Sequence, residues 1–390
     1  MKISTSNEVT EVAIANVLAK LGDVKPSFLV LHMAATHNAD VARSLLTSKF
    51  DNSIPIHGGT SCLGVMTGDG ASIEDSCGLG IATFEDIDGD FGTGIADLGD
   101  DPFAAAARAT RAALTQAARD GEAPELIWLT AAPGAEEAVL SGVESVVCKD
   151  CRIVGGSAAD NSISGDWFVF DGVEKHGNGA IVSVMFPSGS CASAYQSGYA
   201  PTKTSGVATK TEGRRVFEID GAPARQVYAN WTGGAVCPSS PAEPEAILAA
   251  STFSPLGRPS AEVADVPFFL LAHPATVYPD DSVEFFADIE EGEELHLMTG
   301  DIESLTSRAG RVAAQAVEQT EGSVAGTLVI YCGGCMLAVQ DHMDGVASGI
   351  DKALNGAPFL GVFTFGEQGP VLNCDNRNGN LMISCITFGS

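Results

Sequence analysis

The chain has 390 residues, room for two or three domains, and 45% of them are hydrophobic, an ordinary share for a globular protein. Fifty acidic residues against 21 basic ones leave a net charge of −29, which repels a nucleic-acid duplex or an anionic membrane, so no nucleic-acid partner is expected. No run of 18 apolar residues occurs, so no membrane span is expected; MKISTSNEVTEV at the start lacks an apolar h-region, so a cytoplasmic location is expected.

Apolar residues at near-helical spacing between Asn7 and Leu21 predict a leading helix. A first unit follows: FLVL at Phe28–Leu31, IPIHGG at Ile54–Gly59 and GLGIATF ending at Phe84. Asp100–Arg119 predicts a strong helix, with Asp100 or Asp101 as its cap, Pro102 in its first turn, alanine filling it and Gly121 stopping it. A second unit repeats the plan: LIWL at Leu126–Leu129, CRIVGG at Cys151–Gly156 and AIVSVMF ending at Phe186.

The character changes after Gly189. Val207–Gly221 predicts two strands across a Glu212-Gly213 turn, and Pro223–Asn230 a helix. Pro238–Arg258 predicts a loop with one short helix, Pro267–Pro274 a buried strand, and Ser282–Ile289 with Leu295–Asp301 a hairpin. Asp301–Glu318 predicts a helix capped by Asp301. A third unit closes the chain: LVIY at Leu328–Tyr331, APFLG at Ala357–Gly361 and LMISCITF ending at Phe388.

From the end of the first run to the first glycine of the second there are 27, 26 and 30 residues (Leu31 to Gly58, Leu129 to Gly155, Tyr331 to Gly361). That suits a strand, a crossover helix and a parallel strand, which together take about 30 residues. The expected fold is α/β: repeated β-α-β-plus-hairpin units with pseudo-symmetric repeats, forming mixed sheets flanked by helices. A boundary near residue 195 divides 1–195 from 196–390, where the repeat is interrupted.

Ligands of open α/β sheets settle at the carboxyl ends of strands. The equivalent positions there are His32, Thr130 and Cys332 after the first strands. After the second strands they are Thr60, Ser61 and Cys62; Ser157 with Asp160; and Thr364 with Glu367. Gly59 and Gly156 lie beside them, and glycines there let a ligand approach the backbone, which reads as a cradle. Cys62 is a candidate nucleophile with His57 or His32 as base, and Cys332 is a second candidate. Against that stands the plainer reading of both as buried thiols. Asp160 and Glu367 suit an acid–base pair or a ligand ammonium group. His273 reads as a core histidine, His176 and His342 as surface residues. Two CxxC pairs, Cys148–Cys151 and Cys332–Cys335, lie too far apart for a zinc ribbon, though CGGC also resembles a redox dithiol. No HExxH occurs and no metal site is expected.

HGGTSCLGV, IVGGSAADN with WFVFDG and GAIVSVMF, then SGYAPTK, VFEIDGAPARQVY, IYCGGC and GVFTFGEQG resemble, in this order, the FIST family with its N-terminal and C-terminal domains in tandem. The resemblance implies a sensory module in signal transduction that binds a small ligand, amino acids among them, and acts through a signalling partner protein. The ligand-binding residues would be Gly59, Thr60, Ser61, Cys62, Gly156, Ser157, Asp160, Cys332, Thr364 and Glu367. Some relatives bind haem, so a haem-binding gas sensor is one alternative; no other cofactor is expected. A cysteine-dependent enzyme acting on a small carbonyl or thiol metabolite is the other. Two departures stand out: no output domain is visible in the sequence, and CGGCM stands where relatives commonly carry an arginine after the glycines.

Overall fold

A computed structural model describes residues 1–263, 266–372 and 375–390. Three sheets share one strand order. In the first unit the strand Phe28–Met33 runs parallel to Ile56–Thr60 through the helix Ala39–Lys49, and antiparallel to the closing strand Leu79–Phe84. Lys2–Ser6 flanks the closing strand, and the helix Thr10–Leu21 connects it back to the first strand. The second unit repeats this with Asp90–Asp97, Pro102–Gln116, Leu126–Ala131, Glu136–Val147, Arg152–Ser157 and Gly179–Phe186. The third uses Cys191–Ser197, Ile302–Glu318, Val324–Cys332, Met343–Ala353, Phe359–Thr364 and Met382–Gly389. The β-α-β-plus-strand reading of the sequence therefore holds in all three units.

Each unit also lends a hairpin to a neighbour. The first unit's Val65–Thr67 and Gly70–Ser72 pair onto the third unit's Phe359–Thr364. The second unit's Val169–Phe170 and Lys175–His176 pair onto the first unit's Ile56–Thr60. The third unit's Glu367–Val371 and Asp375–Gly379 pair onto the second unit's Arg152–Ser157. The exchange is cyclic, and it covers an edge of every sheet that would otherwise stay unpaired. The paired glycines of the sequence motifs serve it. A Cβ on Gly58 would sit 2.3 Å from the Phe170 ring, and one on Gly361 2.5 Å from Met66, so the visiting hairpin fills the space a side chain would need.

Alternate residues of each first strand face opposite ways. Phe28 and Val30, Leu126 and Trp128, and Leu328 and Ile330 point inward into one apolar core common to the three units. Leu29 and Leu31, Ile127 and Leu129, and Val329 and Tyr331 point outward to three separate clusters shared with the helices.

A nine-stranded sheet between Ala200 and Thr299 is inserted in the third unit, between its flanking strand and the helix Ile302–Glu318. Several local expectations change here. The strand Leu256–Val263 begins inside the expected loop and takes its last three residues, and Val266–Ala272 is buried only in its last three residues. Val283–Phe285 and Glu294–Thr299 do not form a hairpin with each other. The former pairs with Arg215–Ile219 and the latter with Ala200–Glu212, because those two strands insert between them.

The helix caps follow the expected chemistry. Asp101 accepts the Ala104 N–H with Pro102 at the first position, and Asp301 forms a reciprocal capping box with Ser304. The first of these helices ends at Gln116, before Gly121; Ala118, at φ 56°, already turns the chain. It packs in backbone contact with Asp90–Asp97, where a Cβ on Gly92 or Gly94 would lie 2.0 Å from the carbonyl oxygen of Ala113 or Ala109. Gly94→Val forces that helix off its strand and is expected to lower unfolding free energy by about 3 kcal/mol, read from urea denaturation.

Candidate functional site

The loops after the three second strands meet where the inner faces of the sheets end. Ala159 N–H donates to the Thr60 carbonyl at 3.2 Å, and Cys62 N–H to the Phe363 carbonyl at 3.0 Å. Phe365 N–H donates to the Ser157 carbonyl at 3.2 Å, and Ser157 N–H to the Gly366 carbonyl at 2.8 Å. The ten residues expected at the site are thus gathered around this ring of main-chain bonds, and all of them are buried.

Burial changes what they do. Gly59, expected to open a cradle, lies against Thr130 and His32, and Gly156 lies against the side chain of Thr364. Ser61 donates to the Gly64 carbonyl and accepts from Phe363 N–H at 2.8 Å. Ser157 donates to Glu136 at 2.8 Å, and Glu136 in turn pairs with Arg214 of the inserted sheet at 2.5 Å.

Asp160 is not paired with Glu367. Its oxygens accept N–H groups from Ser162, Ile163, Ser164, Gly165 and Asp166 at 2.5 to 3.0 Å. Burial acts to raise its pKa, but the backbone N–H groups outweigh that and hold the carboxyl below its ordinary value. The outcome is a tightly wound turn that carries Ile163 at φ 55° with its side chain 43% exposed, an unusual backbone for a β-branched residue.

Glu367 accepts Thr364 Oγ1–H and Met382 N–H, each at 3.0 Å. Burial first, and the neighbouring Cys332 second, push its pKa well up. The Cys332 thiol is likewise pushed well up, by the Cys335 thiol beside it and by burial. Cys62 is raised to about 12 by burial, then by Asp160 and Cys332. Neither histidine serves Cys62 as a base. His57 bonds Ser183 Oγ at 2.8 Å and Thr130 Oγ1 at 2.9 Å, and the His32 ring lies against Gly59 with no hydrogen bond to Cys62.

Of the ten expected residues, Cys332 lines a small, partly open cavity of about 40 Å³, with Ile163, Leu248, His273, Phe286, Gly334, Leu337, Phe365 and Asn380. Its walls come from three places: Ile163 from the second unit, Leu248, His273 and Phe286 from the inserted segment, and the rest from the third unit. Asn380 is 2% exposed; its Oδ1 accepts His273 N–H at 3.1 Å, and its Nδ2 has no partner among the described residues. Because a backbone N–H only donates, the atom facing it is the oxygen, which fixes which way the amide points. His273 gives its Nε2 proton to the Leu248 carbonyl at 2.9 Å, and burial lowers its pKa to about 4, so the ring is neutral. Sequence reasoning missed Asn380, Phe286 and Ile163. NRNGN and SAADNSIS mark turns, but nothing in them says that the two turns meet.

Asp160 and His37 border a larger open cleft of about 530 Å³. Both nitrogens of His37 are engaged, one with Thr10 and the other with the Cys77 carbonyl. His32 and His57 are sealed in the core, and the cavity at His273 is small. No group of three or more potential metal ligands occurs among the described residues, and no described helix is long and apolar enough to cross a membrane.

The FIST N domain matches residues 27–222 and the FIST C domain residues 224–370. The chain belongs to the FIST family. FIST domains are associated with small-ligand sensing in signalling. The division between the two family domains falls inside the inserted sheet, so each takes part of it. No curated protein matches this FIST chain in sequence. Among solved structures it is similar to a cyanuric acid hydrolase from A. caulinodans, at 10% identity and a TM-score of 0.38, over 100% of this chain and 99% of that one. It is also similar to PurLQS from Thermotoga maritima, at 7% identity and a TM-score of 0.22, over 77% of this chain and 72% of that one.

The buried histidines set a pH dependence. His32 is lowered to about 3 by burial, His273 to about 4, and His57 well below its ordinary value by burial and by His32. Between the unfolded value near 6.5 and these folded values the unfolded chain binds more protons, so stability is present above about pH 6.5 and is lost as pH falls. Thermal melts are expected to drop between pH 6.5 and 4, and His32→Phe is expected to flatten that slope.

Proposed function

We propose that this FIST protein is a small-ligand sensor whose ligand occupies the cavity at Cys332, His273 and Asn380. The observation that supports this reading is the buried Asn380, whose Nδ2 has no partner among the described residues and which lines a cavity walled by three parts of the molecule. An unmet buried donor costs roughly 1–3 kcal/mol, and an acceptor in the cavity removes that cost. A ligand that prefers one placement of the inserted sheet against the three units shifts the population toward it, and so alters the surface offered to a signalling partner.

Thiol catalysis is the second reading, because Cys332 lines the cavity with Glu367 behind it. The raised pKa of the thiol leaves it protonated near neutral pH and weakly nucleophilic, which favours binding over chemistry.

Gly334 offers a test of the site. A Cβ there meets its nearest neighbours, Cys332, His273 and Leu381, at an ordinary 3.6 to 3.7 Å, so a leucine enters the cavity without striking backbone. Native mass spectrometry of the purified protein is expected to show a bound small-molecule mass on the wild type and none on Gly334→Leu, at similar melting temperatures. The same mass on both, or on neither, counts against this cavity.

A further inference from the structure

We infer that the cavity selects an uncharged ligand with a carbonyl-type oxygen, such as a small aliphatic amide or ketone, and rejects zwitterions and ions of the same size. The inference rests on the sensor reading above and names the class of ligand for that site.

Three observations support it. None of the nine lining residues carries a formal charge once His273 is neutral, and burial keeps His273 neutral although its Nε2–H donates to the Leu248 carbonyl. A ligand carboxylate or ammonium would leave water for a site with no counter-charge, a large cost. Among the described residues two lining groups have unmet capacity: Asn380 Nδ2 has N–H donors to offer while its oxygen is used by His273 N–H, and Nδ1 of the neutral His273 ring is an acceptor with no hydrogen bond. The ligand atom that meets Asn380 is therefore an acceptor, and an amide N–H beside it suits His273. The remaining walls, Phe286, Leu337, Phe365 and Ile163, are apolar and suit a short alkyl group. At about 40 Å³ the space holds only a few heavy atoms, and anything longer has to displace Ile163 or Leu337, the exposed wall residues.

The test is a charge series of near-isosteric probes on the full chain. Propionamide, propionate and propylammonium at millimolar concentration are followed by saturation-transfer NMR. Propionamide is expected to bind at least roughly tenfold better than either ion, and Gly334→Leu to abolish its signal. Asn380→Asp keeps the acceptor for His273 N–H and removes the donor, so it is expected to weaken propionamide about tenfold and to favour propylammonium. Equal or better binding of an ion by the wild type, lost in Gly334→Leu, overturns the ligand class and leaves the site standing. Binding of no probe by the wild type or by Ile163→Gly overturns the class and the site together.

Discussion

The structure depends on the cyclic exchange of hairpins. Each unit presents a sheet whose second strand, left alone, would end in an open row of backbone N–H and carbonyl groups. Each receives the hairpin of a neighbour on that edge. Pairing by exchange satisfies those groups and ties the three units into a ring, so no unit can be removed without uncovering an edge of another. The common core of Phe28, Leu126, Leu328 and their inward neighbours then has a sheet on every side.

That closure explains the glycine and hydroxyl residues at the carboxyl ends of the strands. Met66, Phe170 and Thr364 occupy the space beside Gly361, Gly58 and Gly156, so these glycines first of all let the units approach. The three following turns are drawn together and bond to one another through Thr60, Ser157, Phe363 and Gly366. The same geometry that makes the turns look like ligand cradles in sequence uses up much of their backbone capacity on each other. Free capacity reappears just outside the ring, at Asn380, where the third unit turns to face the inserted sheet.

The repeat was legible because apolar runs near 30 residues apart leave few ways to fold, and the register of all three parallel pairs follows from it. The exchange was not. Val169–Phe170 and Lys175–His176 are two residues each, too short for a periodic signal, and their partner lies over 100 residues away. Local alternation also misled at Ser282–Asp301, where both strands exist but a non-local pair separates them. In the site, Cys332, Asp160 and Glu367 were placed at the right strand ends by the repeat. Asn380 and Ile163 were not, because their roles come from which turns meet in space, and a polar turn residue carries no mark of its future burial.

Asp160 connects these levels. Its carboxylate binds five successive backbone N–H groups, a strong charge-assisted set, and so holds Ile163 in a left-handed conformation that a β-branched residue adopts only at a cost of about 1–3 kcal/mol. The side chain so held forms a wall of the Cys332 cavity from the second unit, while Leu248 and His273 form the opposite part from the inserted sheet. The inserted sheet is also tied to the second unit by Arg214 on Glu136, and Glu136 holds Ser157 of the central ring. The second unit thus meets the inserted segment at two places, the Ile163 wall and the Glu136–Arg214 pair. On the sensor reading proposed above, a small uncharged cavity at that joint is where a neutral ligand would bias the arrangement without disturbing the acidic surface of a molecule of net charge −29.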